Sequence, residues 1–510
     1  MIKVNTAYLS GIEARLAQVE VMVSRGIGYY LIGLPDASVR ESSYRIAAAL
    51  SATGYRIPGK RITLNLAPAD IRKSGSSFDL ALALGILLGT GQIESGPLAD
   101  TLFVGELGLD GQLGRAQALL AVADMAQKQG FKSLVVPHKQ RSLACHIPGI
   151  SVYALESLQK VVVFLKNPHS FKPRPKKKWS PLKSPSAEVD FCDIKGQFMA
   201  KRGLEVAAAG GHNVLMVGPP GVGKTLLAKA LRGILPPLLE EEALEISRIL
   251  SFASNEKGYL VAERPFRSPH HSSSRAALLG TGYYPKPGEL TLAHKGVLFM
   301  DELTEFQRPV LEVLREPLEE RRVRISRGHK QWVFPADFMW IASANPSPDG
   351  YFYSEERAPR SSPAEIRKYL NKLSGPLLDR IDLHLELNQM PLGESVENTP
   401  VENSQAIGQR VEWARERQYK RYSEHPGIQC NAHLTGSQIR YFCPRDRECK
   451  GLINKILNEL NLSVRSHDRI LKLAMTLGDL EGADRVNARH LAEAIRFRVM
   501  DRGNWLNPRV

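Results

Sequence analysis

Cysteine is scarce: five residues in 510, at Cys145, Cys192, Cys430, Cys443 and Cys449. So few, so widely spread, exclude a disulfide framework and point to a reducing, cytoplasmic compartment. Cys443 and Cys449 have no His-x-x-x-His partner nearby, so they read as free thiols before they read as metal ligands. Long apolar runs are missing as well. The longest, residues 80–88, is too short to span a bilayer. The opening MIKVNTAYLSG lacks the basic-then-apolar order of a signal peptide. Neither secretion nor a membrane partner is expected. Lysine is absent from the whole stretch between Lys73 and Lys128, which matters below.

What is present is ordinary globular material with a basic bias. Hydrophobic residues make up 43% and charged residues 24%, which excludes a wholly disordered chain. The length exceeds a single core and predicts roughly two to four folding units. Lys and Arg number 68 against 53 acidic residues, a net charge of +15 that suggests a polyanionic partner. The excess is uneven: +4 over residues 1–160, +6 over 161–189 and +5 over 190–510. Residues 167–186, NPHSFKPRPKKKWSPLKSPS, are rich in Pro, Lys and Ser without an apolar period. A basic linker over 166–189 follows, either a solubilising tether or a nucleic-acid contact.

Before the linker, residues 19–23, 62–66, 103–104 and 133–136 read as strands, and 37–51 and 116–129 as helices. Residues 1–165 are therefore expected to form a mixed α/β domain. Strands alternate with helices again over 190–390, which favours a parallel sheet. The pattern beyond is helical, at 405–422, 451–460, 466–480 and 488–498, giving a helical domain over 391–510.

Gly218, Pro219, Pro220, Gly221, Val222, Gly223, Lys224 and Thr225 match the phosphate-loop pattern G-x-x-x-x-G-K-[ST]. An apolar strand at 213–217 precedes them and a helix at 226–235 follows, the context the pattern requires. Glycines let backbone N–H groups turn onto phosphates, and the helix start adds partial positive charge. Lys224 suits the β- and γ-phosphates, and the Thr225 hydroxyl suits Mg²⁺. ATP and Mg²⁺ are the expected cofactors. A second apolar strand, residues 297–300, delivers Asp301 and Glu302 at its carboxyl end, where doubly wound sheets place ligands. Asp301 suits Mg²⁺ coordination, and Glu302 suits polarising the attacking water. A third strand, 338–343, ends at Asn345, whose amide suits holding that water. Arg380 precedes a strand at 383–387; it is either a surface ion pair or an arginine finger for a neighbouring subunit.

Together with RPFRSPHH at 264–271, GVLFMDEL at 296–303, SANP at 343–346 and LSGPLLDRIDLH at 373–384, this phosphate loop resembles the ComM/YifB family of magnesium-chelatase-like AAA+ ATPases. APADIRKSGSSFDLALALGIL at 67–87 and FVGELGLDGQLGR at 103–115 resemble that family's N-terminal domain, which is similar to the proteolytic domain of Lon. The resemblance runs essentially end to end. It implies an α/β fold: a Lon-like domain, then an AAA+ module with a helical lid. It also implies a homo-hexameric ATP-dependent helicase that promotes branch migration of joint molecules in natural transformation. Its partners would be single-stranded and branched DNA and other recombination proteins. By motif, Asn345 falls at sensor 1, Arg380 at the trans arginine finger and Arg465 at sensor 2. Relatives carry two inserts that reach toward the ring pore, one between the phosphate loop and Asp301. The other is a hairpin before sensor 1. Here residues 321–327 and 331–334 read as its strands, with Arg322, Arg324 and Ser326 on one face and Arg321, Val323 and Ile325 on the other. Arg321, Arg322, Arg324 and Arg327 are candidate phosphate contacts, against the plainer reading of a basic edge strand that blocks aggregation. The alternative function for such a module is a remodelling chaperone or a metal-insertion motor.

Two departures from related patterns bear on chemistry. Ser77 sits where a Lon-type peptidase has its nucleophile, yet the segment 103–127 that should supply the activating lysine has none. Without its base the serine is inert, and the domain reads as a scaffold. Many relatives also carry four cysteines after sensor 1, where this chain has Ser347, Asp349, Pro359 and Ser361. Thiolates cannot be replaced in that way in a structural zinc site. The purified protein is therefore expected to contain no stoichiometric zinc by elemental analysis; one zinc per chain would refute this.

Overall fold

The computed structural model describes residues 1–498 apart from 72, 74, 145, 147–148, 176–178, 182–187, 254–259, 283–284, 328–329, 349–360, 389–401, 426, 444–448, 450 and 454–462. Two compact units emerge. The first comprises residues 1–180 together with 240–261 and 284–286; the second comprises 181–239, 262–283 and 287–510.

The first unit is built on a seven-stranded mixed sheet. Its strands are β1 (Ile2–Ser10), β2 (Glu13–Ser24), β3 (Gly28–Ile32), β4 (Arg61–Ala67), β5 (Thr101–Phe103), β6 (Ser133–Pro137) and β7 (Ser151–Leu155), in the order β3-β4-β2-β1-β5-β6-β7. β1 and β2 form a hairpin, and β2 runs antiparallel to β4; the other pairings are parallel. The long apolar run is the helix Asp79–Gly89, buried along all but its last residue. A helix apolar on every side belongs in a core. It approaches β2 closely, since a Cβ on Gly85 would lie 2.6 Å from Val21 Cγ2.

The helix expected at 116–129 is observed only over Leu119–Lys128. Ala116 N–H donates to Gln140 Oε1 at 2.8 Å and Ala118 sits at φ 44°, so the chain turns before the helix starts. This same turn reaches Ser77, whose Oγ accepts from the Gln117 N–H at 3.1 Å. The turn thus brings a backbone amide to Ser77. Lys73 is fully buried and donates to the Pro68 carbonyl.

Part of the basic segment packs rather than dangles. Arg174 N–H donates to Val152 O at 2.8 Å along β7, and the Phe171 ring meets Phe164 edge-on at 5.7 Å. A further surprise is the segment between the phosphate loop and Asp301. Its helix Glu240–Ala253 folds with this first unit, not with the second sheet. Arg248 pairs with Asp124 at 3.1 Å, and Leu260 is buried in the apolar cluster that includes Leu119–Ala123. The expected pore-facing insert is thus held, over its described residues, by apolar burial and an ion pair.

The second unit is a five-stranded parallel sheet. In chain order its strands are β8 (Val214–Val217), β9 (Phe266–Arg267), β10 (Val297–Met300), β13 (Met339–Ala344) and β14 (Leu383–Glu386), arranged β9-β10-β13-β8-β14. Between β10 and β13 lies a hairpin of β11 (Arg322–Arg327) and β12 (Lys330–Pro335). Helices Ser404–Tyr422, Val464–Glu481 and Ala488–Arg496 complete one core with the sheet, through Val411, Leu473, Leu491 and Phe497. Of the helical expectations, 451–460 falls largely outside the described residues.

One buried carboxylate ties lid to sheet. Asp382, just before β14, takes Arg469 of the lid at 2.6 Å and the Asn213 N–H at 3.0 Å. Burial alone would raise its carboxyl; Arg469, His212 and Lys472 outweigh that and hold it well below the ordinary carboxylate range. A depressed carboxyl stabilises the fold above its unfolded value, about 3.9, and that stability is lost as pH falls through the folded value. Asp382→Asn should therefore cost about 3 kcal/mol at pH 7, leaving Arg469 half-buried and unpaired. It should also flatten the acid limb of the unfolding profile, read by circular dichroism.

Candidate functional site

Parallel register builds the site. β8 pairs β13 with Val217 opposite Ala344, and β10 pairs β13 with Met300 opposite Ala342. Residues 218–225, 301–302 and 343–345 must therefore emerge side by side at the carboxyl end of the sheet. Lys224 Nζ donates to Asn345 Oδ1 at 2.9 Å and to the carbonyls of Gly218 and Pro219 at 2.6 and 2.9 Å. Burial pulls the Lys224 ammonium below its usual range, opposed by Asp301 and Glu302. Thr225 Oγ1 donates to Asp301 Oδ2 at 2.7 Å. Gly221 and Gly223 hold φ +83° and +91°, and a Cβ on either would meet nothing within 4 Å, so open space lies beside the loop. The room, the helix start at Lys224 and the hydroxyl–carboxylate pair suit a phosphate chain and a hard divalent cation.

Sequence reading missed Ser343. Its hydroxyl donates to Asp301 Oδ1 and accepts the Glu302 N–H at 3.0 Å. Glu302 itself sits at φ +51°, a left-handed conformation uncommon for a residue with a side chain. Ser343 thus fixes both carboxylate-bearing residues at once. The SANP motif contained the signal, since a small hydroxyl ends a buried strand there. The Glu302 carboxylate is more than half exposed, with His271 Nδ1 3.9 Å away.

Arg380 and Arg465 are not brought to this cluster. Arg380 precedes β14 and Asn213 precedes β8; Asn213 Nδ2 donates to Arg380 O at 3.0 Å, at the amino end of the sheet. The four residues of β8 separate that end from the phosphate loop, roughly 13 Å at 3.3 Å per residue. Arg380 lies with Arg465, Arg469, Lys472 and Asp379 around a cleft of about 410 Å³. Its guanidinium pairs with Glu319 at 2.5 Å and donates to Arg315 O, while Arg465 is exposed and 3.6 Å from Asp379.

The hairpin corrects one expectation. Arg321 is not a ribbon residue: at φ +56° it caps the helix Arg315–Glu320, and its guanidinium donates to the carbonyls of Gly427 and His433. Val323 and Ile325 are buried, whereas Arg322 and Arg324 face outward and are ion-paired with Glu320, Arg324 with Glu316 as well. The Arg327 side chain lies outside the described residues, as do Asp349 and Pro359. Among the described residues no group of three or more His, Cys, Asp or Glu is placed to hold a metal.

With this geometry in place, comparison with known proteins becomes decisive. Residues 190–395 match the family model described as magnesium chelatase, subunit ChlI, and 401–498 match that subunit's C-terminal model. Residues 19–140 match a third model, subunit ChlI of Mg-chelatase. The chain is 41% identical over 502 residues to the protein YifB of Escherichia coli (strain K12), covering 98% of this chain and 97% of that one. It is also 41% identical to the competence protein ComM of Haemophilus influenzae, covering 96% of each. This chain belongs to the ComM/YifB family. Its fold is a Lon-like N-terminal α/β domain followed by an AAA+ module with a helical lid. Similarity to Lon protease 2 of Bacillus subtilis, 28% identity over 236 residues, covers 41% of this chain and 40% of that protein. No helix among the described residues is long and apolar enough to cross a membrane.

For a ComM/YifB protein so arranged, Lys224→Ala should abolish binding of a fluorescent ATP analogue. Ser343→Ala should leave that binding within about threefold but lower kcat about tenfold or more, because it loosens Asp301 and Glu302 without touching the loop. Equal losses in binding and turnover would contradict this division.

Proposed function

We propose that the chain is an ATP-hydrolysing, DNA-translocating motor that works as a homo-oligomeric ring, as a hexamer by family resemblance. One observation carries the reading. Lys224, Asp301 and Glu302 lie at one end of the sheet, and Arg380 and Arg465 at the other. A single chain cannot direct both sets at one phosphate. Two copies head to tail can.

In that reading the loop amides and Lys224 bind the β- and γ-phosphates, and Thr225 and Asp301 hold Mg²⁺. The ion would neutralise phosphate charge when bound. Glu302 takes the proton of the attacking water, and Asn345 holds that water in line. Arg380 and Arg465 of the next copy reach the γ-phosphate and stabilise the charge that builds as its bond breaks. Work on DNA is supported by the family of the competence protein ComM and by the outward Arg322 and Arg324. Their pairing with Glu316 and Glu320 favours modest, salt-sensitive contact with a phosphate backbone over base recognition. The same pairing also keeps a second reading in play, a protein-remodelling motor of the magnesium-chelatase kind.

Mixing variants tests the ring. Arg380→Ala and Lys224→Ala should each be inactive in ATP hydrolysis. Mixed, they should recover part of the rate, because intact arginines of one copy meet the intact phosphate loop of the other. No recovery would argue for separate single-chain sites. For the substrate, single-stranded DNA should shift in a gel at low salt and release as salt rises. A forked or three-stranded DNA should be resolved by the native chain and left intact by Glu302→Gln. Absence of DNA binding even at low salt would favour the remodelling motor.

A further inference from the structure

We propose that the free edge of the first unit's sheet, strand β3, is a docking site for an extended acidic peptide segment, which it takes up as an added strand. The site lies outside the nucleotide cluster and does not depend on how the motor is read.

β3 (Gly28–Ile32) ends the strand order of its sheet. It pairs in parallel with β4, Tyr30 opposite Thr63 and Ile32 opposite Asn65, and no strand lies on its other side among the described residues. The opposite edge is covered, since Arg174 N–H donates to Val152 O along β7. An open edge presents unpaired N–H and C=O groups, and soluble proteins blunt such edges with lysine, proline, a bulge or a covering segment. β3 uses none of these. Its sequence GYYLI holds no charge and no proline, and its register with β4 runs unbroken from Gly28–Arg61 to Ile32–Asn65.

Alternation divides the strand between two faces. Tyr29 and Leu31 pack against the core that holds Ile46 and Leu50. Tyr30 and Ile32 turn to the other face, 46% and 51% exposed, and Ile27 and Leu34 flank the strand at 86% and 54%. The apolar surface continues inward, because Tyr30 and the exposed Met22 lie on either side of Thr63. An added strand sets its side chains level with those of its neighbour, so alternate apolar residues would cover Tyr30 and Ile32.

Charge selects the kind of segment. Ser24 and Gly28 both lie opposite Arg61, which gathers Arg25, Lys60 and Arg61 at the start of β3. All are exposed, and none is in an ion pair among the described residues. The Arg61 guanidinium lies over the Tyr30 ring, 4.9 Å from its centroid. Beyond the other end of β3, Asp36 caps the helix Ala37–Ala52. A segment with carboxylates where it meets Arg25 and Lys60, and apolar residues at alternate positions elsewhere, satisfies both the charge and the apolar row. Backbone pairing then supplies affinity and the alternate side chains supply specificity. A nucleic acid would satisfy the cations, but it has no N–H and C=O ladder for β3 and no apolar row for Ile27 and Ile32.

The test selects random peptides displayed on phage against the full-length chain. The enriched sequences are then synthesised with a fluorescein label and titrated by fluorescence anisotropy. They should carry acidic residues at one end and apolar residues at alternate positions. Ile32→Lys, which puts a charge on the exposed edge, should weaken them about tenfold or more with the circular dichroism of the chain unchanged. Lys60→Glu should weaken them about threefold to tenfold. N-methylation of alternate peptide amides should abolish binding in one register and spare it in the other, the signature of a strand pairing along one side. No enrichment over a parallel selection on Ile32→Lys, or equal effects of both N-methyl registers, would overturn the proposal. Failed selection together with a change of oligomeric state in Ile32→Lys, read by sedimentation velocity, would assign the edge to a second copy and overturn it. Failed selection while single-stranded DNA binding falls with Lys60→Glu would assign the patch to nucleic acid and overturn it equally.

Discussion

Three parallel strands, each only four to six residues long, set the level at which every group of the nucleotide-type site appears. Val217 opposite Ala344 and Met300 opposite Ala342 leave no freedom about where Lys224, Asp301 and Asn345 emerge. The strands can be this short because they are buried on both faces, Val214–Val217 and Val297–Met300 without exception. A one-residue slip between β8 and β13 would exchange the faces of the strand and part Lys224 from Asn345, and one between β10 and β13 would part Asp301 from Ser343. Buried register is thus the constraint that the chemistry inherits. Ser343 shows how: it is the last polar side chain of a fully buried strand, and it sits between two carboxylate-bearing residues because the pairing puts it there.

The same sheet keeps the two charged ends apart. At its carboxyl end lie a partly buried lysine and two carboxylates; at its amino end Arg380, Arg465, Arg469 and Lys472 face Asp379 and Asp382 around a cleft. The lid helices share one apolar core with the sheet, so the Arg469–Asp382 pair is rigidly placed with respect to β14. This rigidity makes the separation meaningful. An arginine on a loose tail could fold back on its own phosphate loop; Arg380, nine-tenths buried and bonded to the Arg315 carbonyl and Glu319, stands at the far end of a packed sheet.

Much of this was legible locally. Apolar runs before G-x-x-x-x-G-K-T and before Asp301-Glu302 announce buried parallel strands, and a strand leaves its last residues at its carboxyl end whatever else the chain does. The missing lysine near Ser77 was legible for the same reason, and the structure adds that the Gln117 N–H donates to the Ser77 hydroxyl. Other features depended on partners outside the motif that suggested them. Arg321 looked like one more residue of a basic ribbon, until the lid carbonyls of Gly427 and His433 turned it into a cap. Arg322 and Arg324 looked like a free positive face, until the preceding helix supplied Glu316 and Glu320. The helix Glu240–Ala253 looked like an insert of the ATPase module, yet its Leu244, with Leu260 beyond it, packs in the apolar cluster of Leu119–Ala123, more than a hundred residues earlier.

The sequence by itself determined the family, the order of its two folds and the glycine-rich loop after β8, because each is written in contiguous patterns of period, glycine and charge. Only the tertiary structure decided that Ser343 and His271 stand beside Asp301 and Glu302, that Arg380 and Arg465 stand away from them, and which arginines already have carboxylates. Those outcomes follow from strand order and from packing between separate elements, as with the 42 residues that part Ser343 from Asp301. No local pattern encodes such distances; burial and register do.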